Sequence, residues 1–167
     1  MKPVLLLCAC SFAAVANATV YTVSNEPGYP AQYNNLQAAH DAAAGGDTLY
    51  VTPSATNYGD LSVDRAITVI GGGYGTSGAH SQFSSIYCLA GSSGSRFIGL
   101  YGTGYIYPEY YAENSNILVE RCQFNAIQPT GYAMDGLVVK HSVISAITMS
   151  ASWSNVLITN NLITAQV

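Results

Sequence analysis

Three stretches of the chain can be laid over one another residue for residue: ILVERCQF at 117–124, LVVKHSVI at 137–144 and VLITNNLI at 156–163. Their starts lie 20 and 19 residues apart. Each opens on alternating aliphatic positions, breaks at a polar pair and resumes with an apolar residue, the pattern of a short strand, a bend and a second short strand. Alternation predicts that Ile117, Leu137 and Val156 point inward with Val119, Val139 and Ile158, and that Leu118, Val138 and Leu157 point outward. Beyond the bend, Cys122, Ser142 and Asn161 form one column and Phe124, Ile144 and Ile163 another. A unit of about twenty residues cannot bury its apolar side alone, whereas stacked units share a continuous core, so the repeat predicts a solenoid whose strands pair parallel with their counterparts one coil along.

The segments between these units, ENSN, PTGYAMDG and SASWSN, are polar or contain glycine and are expected to be loops. The first half carries the same signal less regularly, in DTLYVTPS from Asp47, AITVIGGG from Ala66, SSIYCLAG from Ser84 and FIGLYG from Phe97. Ile67 and Ile86 are one period apart, and so are Phe97 and Ile117. Ile86 and Phe97, however, are separated by 11 residues, so either they are different strands of one coil or a loop interrupts the count. Ahead of these strands, YNNLQAAHDAAAGGD predicts a short helix. Asn34 or Asn35 is its N-cap, Leu36, Ala39, His40 and Ala43 form one face, and Gly45-Gly46 stops it. A helix there would cover the open end of the stack.

The 167-residue chain has 49% hydrophobic but only 8% charged residues, and a net charge of -4. Five Lys and Arg in all cannot neutralise a run of phosphates, so nucleic-acid partners are not expected, and the composition also argues against disorder. Residues 1–18 read as a signal peptide, with Lys2, an apolar run over 4–15 and the small-x-small site Ala16-Asn17-Ala18. A membrane span is not expected, because that run is too short. The expected location is secreted, periplasmic or cell-surface. Residues 19–46 form the N-terminal strand and capping helix, and 47–167 the coils. Cys88 and Cys122 are expected at different positions of the coil, either as buried thiols or as a bridge.

In LQAAHDAAAGGDTLYV, LSVDRAITVIGGGY and the NVLITNNLI-type coils, the sequence resembles the N-terminal part of a right-handed parallel β-helix of the pectin-lyase-like superfamily. The resemblance implies an all-β fold with a short N-terminal capping α-helix and a polysaccharide or cell-surface glycan as ligand. Asn161, Ser142 and Cys122 fit the inward polar ladder such helices use at a bend. Asn-Thr-Asp, Asp-Asp, Gly-His-Gly and Arg-Ile-Lys motifs of polygalacturonase-like sites do not occur, nor does the Arg-x-Pro-x-x-Arg context of pectate-lyase-like sites.

Candidate chemistry is therefore sparse. Glu120 shares a column with Lys140 and Thr159, so its stacked neighbour is an ammonium, whereas glycoside hydrolysis needs a second carboxyl. Arg121, His141 and Asn160 follow. In a polysaccharide lyase or hydrolase acting on uronic acids, Arg121 would neutralise a substrate carboxylate, with His141 or Lys140 as base. Calcium would belong only to that alternative, and no other cofactor is expected. Asp60 with Asp64, and Glu109 with Glu113, do not make a converging set of the six to eight oxygens calcium prefers. His40 is expected to pack, and His80 lies in a Gly/Ser loop without a visible partner. The thirteen tyrosines are the unusual feature. Tyr105, Tyr107, Tyr110 and Tyr111, with Tyr132 and Trp153, would stack on sugar rings if their loops share a side. Otherwise the rings fold back over the Leu118, Val138 and Leu157 stripe. The leading reading is a carbohydrate-associated or surface module without its own active site. Because Val167 directly follows a coil, the chain is expected to continue or to stack end to end there.

Overall fold

The computed structural model describes residues 18–75 and 78–164, so the signal reading at 1–18 lies, but for Ala18, outside the described residues. The chain winds as a parallel β-solenoid of about six turns. Three sheets form its faces. The first has seven strands, in the order Val20–Val23, Thr48–Val51, Thr68–Ile70, Arg96–Ile98, Leu118–Glu120, Val138–Lys140 and Leu157–Thr159. The second follows the path Leu61–Val63, Ile86–Cys88, Tyr105–Tyr107, Gln123–Ile127, Val143–Ile147 and Leu162–Ile163, and also takes in the short strands Gln82–Phe83 and Tyr101–Gly102. The third has three two-residue strands, Asn114–Ser115, Met134–Asp135 and Trp153–Ser154.

The register of the clear repeats is the expected one. Leu118, Val138 and Leu157 pair in succession, as do Glu120, Lys140 and Thr159. Ile117, Val119, Leu137 and Val139 are fully buried, whereas Ile158, in the last described coil, is 38% exposed. The first half corrects two alignments. Ile86 belongs to the second sheet and pairs with Leu61 and Ile106, while Thr68 pairs with Arg96, so Ile67 and Ile86 are not equivalent. Phe97 lies opposite Val119, two residues from the expected Ile117. Ile86 and Phe97 are strands of different sheets, and the short step between them recurs in the regular coils, from Ile106 to Val119 and from Ile127 to Val139. The three inter-unit segments also contain strands, too short for an alternation signal to appear.

The polar pair marks a sharp bend. Arg121, His141 and Asn160 all have left-handed backbones, with φ of 51°, 52° and 54°. Immediately after it, side chains replace the ladder hydrogen bonds that the bend interrupts. Ser142 Oγ accepts the Cys122 N–H at 3.1 Å, and Asn161 Oδ1 accepts the Ser142 N–H at 2.9 Å. The same side chains then donate to carbonyls of the inner wall, Ser142 to Lys140 O and Asn161 to Val139 O. This is the polar ladder expected from the column, and it keeps buried amides paired.

The helix spans Leu36–Ala42, with Asn35 as N-cap accepting the Ala38 N–H at 2.8 Å. It ends at Ala43, ahead of the glycine pair. Leu36, Ala39, His40 and Ala43 are buried, and the helix packs against the first strands of both large sheets, at the start of the core. Its docking is also polar. Gln37 Oε1 accepts the Ser62 N–H, and His40 accepts the Asp64 N–H at Nε2 while Nδ1 faces Asp41 at 3.1 Å. Cys88 and Cys122 are free, buried thiols whose pKa values burial pushes up to about 12. Among the described residues no helix is long and apolar enough to cross a membrane.

Candidate functional site

The second sheet gathers the aromatic residues. Tyr87 and Tyr107 occupy paired positions on neighbouring strands and both point outward, because Ile86, Cys88 and Ile106 beside them point in. Their rings stack with centroids 5.2 Å apart and planes 5° from parallel. Tyr110 leans on both, at 4.8 Å from Tyr87 and 5.6 Å from Tyr107, while Tyr105 lies 5.8 Å from Tyr107. Tyr111 extends the group from Tyr110 at 4.2 Å and is 69% exposed. The result is one contiguous group of five tyrosines. Burial among the others pushes the Tyr107 hydroxyl pKa up.

The loop that carries Tyr110 and Tyr111 is pinned from beneath by Glu109, whose side chain is fully buried. Its Oε1 accepts the Thr130 N–H, and Thr130 Oγ1 donates to the Glu109 carbonyl at 3.0 Å. Asn114 Nδ2 donates to Pro108 O and to Cys88 O. Burial raises the Glu109 carboxyl pKa, against the lowering effect of its backbone hydrogen bonds. In the sequence Glu109 stands out only with Glu113 as a possible calcium pair, and nothing there marks it as the residue that anchors the tyrosine loop.

Along the same face a depression of about 370 Å³ is lined by Tyr101, Gly102, Thr103, Gln123, Phe124, Asn125 and Ser145. It arises at a bulge. Tyr101 pairs with Gln123 and Tyr105 with Ala126, so one strand uses an extra residue at Thr103-Gly104. The His80 ring stacks on Tyr101 at 4.9 Å, giving that histidine the partner its sequence context did not show.

The acid and base candidates lie elsewhere, along the first sheet and its bend. Lys140 Nζ is 3.3 Å from Glu120 Oε2, so the carboxylate is matched by an ammonium. A half-exposed pair of this kind contributes about 0 to 1 kcal/mol. Arg121 borders a depression of about 190 Å³ floored by Gly71, Gly72, Gly73 and Gly99. Tyr74 beside it donates its hydroxyl to His141 O at 3.1 Å. His141 Nε2 is 3.4 Å from the Asn160 amide. On the third face, Asp135 accepts from Ser154 Oγ and Asn155 Nδ2, each at 2.7 Å, and these bonds lower its pKa.

The expected aromatic row is thus partly assembled. Tyr105, Tyr107, Tyr110 and Tyr111 come together, joined by Tyr87, which sequence reasoning passed over because it stands alone in its segment. Tyr132 and Trp153 do not join them. Trp153 is in the third sheet, packed against the core with its Nε1 buried, opposite Met134. The tyrosine group also does not cover the Leu118, Val138 and Leu157 stripe, which belongs to the first sheet. Asp64 is engaged with Arg65 at 2.7 Å, away from any converging acidic set. Among the described residues no group of three or more His, Cys, Asp or Glu is placed to hold a metal. Comparison with protein-family models, with curated proteins and with solved structures finds no match.

Proposed function

We propose that this chain is an exported carbohydrate-binding solenoid that holds polysaccharide or cell-surface glycan on its tyrosine face. The observation that carries the reading is the pinned group of Tyr87, Tyr105, Tyr107, Tyr110 and Tyr111. Clustered rings with hydroxyl edges suit sugars, whose C–H faces stack on aromatics while their hydroxyls hydrogen-bond at the rim. The rings are fixed by a strand pair and by Glu109, so little side-chain entropy is lost on binding. Native affinity electrophoresis in gels containing polysaccharide tests it. Retention of the wild-type chain, lost in Y107A and Y110A variants that melt like wild type, is the expected result. Equal mobility of all three in every gel would sink the reading.

The second reading, a lyase or hydrolase acting on uronic-acid polymers with calcium as its only cofactor, is favoured by Arg121 at the glycine-floored depression. Arg121 would neutralise a sugar carboxylate there and His141 would take a proton, since Lys140, the other candidate base, is an ammonium held by Glu120. Glu120 is already committed to Lys140. Chain shortening of polyuronate in the presence of calcium, abolished in R121A, is the result that would move the assignment to this reading.

A further inference from the structure

Resting on the carbohydrate reading, we infer that the ligand is an uncharged sugar chain, and that it runs from the tyrosine group into the amide-lined depression formed by Gln123, Asn125, Thr103 and Ser145. Two independent features of the second sheet support this. The first is charge. None of its strands, LSV, QF, IYC, YG, YIY, QFNAI, VISAI and LI, contains Asp, Glu, Lys, Arg or His. The first sheet carries Arg96, Glu120 and Lys140 in its strands, and the third carries Asp135. A polyuronate brings one carboxylate per residue and would be desolvated on a face whose strands hold no Lys or Arg to receive it, an unfavourable exchange. A neutral sugar meets no such cost.

The second feature is the chemistry of the depression. Asn125 and Thr103 are exposed and Gln123 and Ser145 half-buried, so two amides and two hydroxyls border a recess next to the rings. Amides offer donor and acceptor side by side, matching vicinal hydroxyls that also do both. Its size falls within the range of small-molecule sites. Tyr101, backed by His80, stands at this recess, while Tyr105 follows directly on the bulge that forms it. Gly104 makes that bulge possible. A Cβ there would lie 2.3 Å from Ser85 Oγ and 2.4 Å from Ser84 O, so no side chain fits and the strand can step aside.

The experiment compares wild type, Q123A/N125A, Y107A and R121A in native gels containing a soluble neutral glucan, a neutral xylan or polygalacturonate. Thermal melts confirm that each variant is folded, which the surface positions of Gln123 and Asn125 favour. Retention by a neutral polymer, weakened at least tenfold in both Q123A/N125A and Y107A and unchanged in R121A, is the expected result. Retention lost in Y107A but untouched in Q123A/N125A would overturn the depression as part of the site and leave the tyrosine reading standing. Retention by polygalacturonate alone would overturn the uncharged ligand while carbohydrate binding survives. Absence of retention by all three polymers would overturn both.

Discussion

Ser142 Oγ accepts the backbone N–H of Cys122 from the preceding coil while donating to Lys140 O at 2.9 Å. One hydroxyl therefore satisfies a buried amide at the bend and adds a second hydrogen bond to a wall carbonyl that already accepts the Arg121 N–H. Ser142→Ala leaves the Cys122 amide buried without a partner, which costs about 1–3 kcal/mol. Ser142→Cys should cost less, because Cys122 itself shows the thiol version of the contact, with Sγ 3.5 Å from the Leu100 nitrogen. Urea melts of the three proteins check the order wild type, Cys, Ala. An Ala variant within a few tenths of a kcal/mol of wild type would mean that the amide finds another acceptor.

Gly102 is required by packing. A Cβ on it would lie 2.0 Å from Cε1 and 2.1 Å from Cδ1 of Phe124, an inward ring that is 2% exposed. Gly102→Ala should destabilise by about 1–3 kcal/mol, since the ring must leave its rotamer or the strands must part. Phe124→Leu alone leaves a cavity, but combined with Gly102→Ala it makes room for the methyl. The double variant is thus expected to be more stable than the sum of the single losses, with a coupling of about 1 kcal/mol in a double-mutant cycle. Additive losses would show that the ring and the glycine do not oppose each other.

The parts of the fold written in equal repeats were legible from sequence. At 117–163 the period holds at 20 and 19 residues, so the inward column, the bend and the column of Cys122, Ser142 and Asn161 follow from spacing, while the ladder role of that column comes from the resemblance. Ile86 and Ile67 misled because each coil carries apolar strands in both large sheets, and periodicity does not say which sheet a strand joins. Asn114–Ser115 and its two partners were invisible as strands because two residues cannot display alternation. The site divides the same way. Neighbouring tyrosines from 105 to 111 stood out, whereas Tyr87 reaches them only through pairing across the sheet. Gln123 and Asn125 carry no motif, and their importance comes from the bulge opposite them. Trp153 was expected with the loop aromatics, yet it packs against the core opposite Met134.

Burial of Glu109 fixes the sign of one pH effect. Its folded-state pKa is raised, chiefly by desolvation, so between the ordinary glutamate value near 4.3 and the raised value the folded chain holds a proton that the unfolded chain has released. Stability due to this group is therefore full at acid pH and declines as pH rises through that window. Asp41 and Asp64 oppose it. Their pKa values are lowered, by hydrogen bonds from Gln37 and Arg65 respectively, so their contribution is lost as pH falls. The Glu109→Gln variant separates the two, since it keeps an oxygen for the Thr130 N–H but cannot ionise. Its melting temperature should exceed that of wild type by a few degrees at pH 8, with the gap closing at pH 4. A gap independent of pH would show that the Glu109 pKa is the same in the folded and unfolded chain, so that burial does not raise it.

Arg121 holds a left-handed backbone with φ 51°, a conformation disfavoured by about 1–2 kcal/mol for a residue with a Cβ and free for glycine. Asn160 occupies the same position of its coil with φ 54°, and asparagine tolerates that region best among side-chain-bearing residues. Arg121→Gly should therefore match or exceed wild-type stability, by up to about 1 kcal/mol, whereas Arg121→Ala keeps the Cβ penalty and should not gain. The pair also separates backbone from side chain in function, because both lose the guanidinium and only one relaxes the bend. If polyuronate is bound at the glycine-floored depression, the two variants lose it equally. If they bind the neutral polymer as wild type does and differ only in melting temperature, Arg121 serves the turn and the tyrosine face alone carries the ligand.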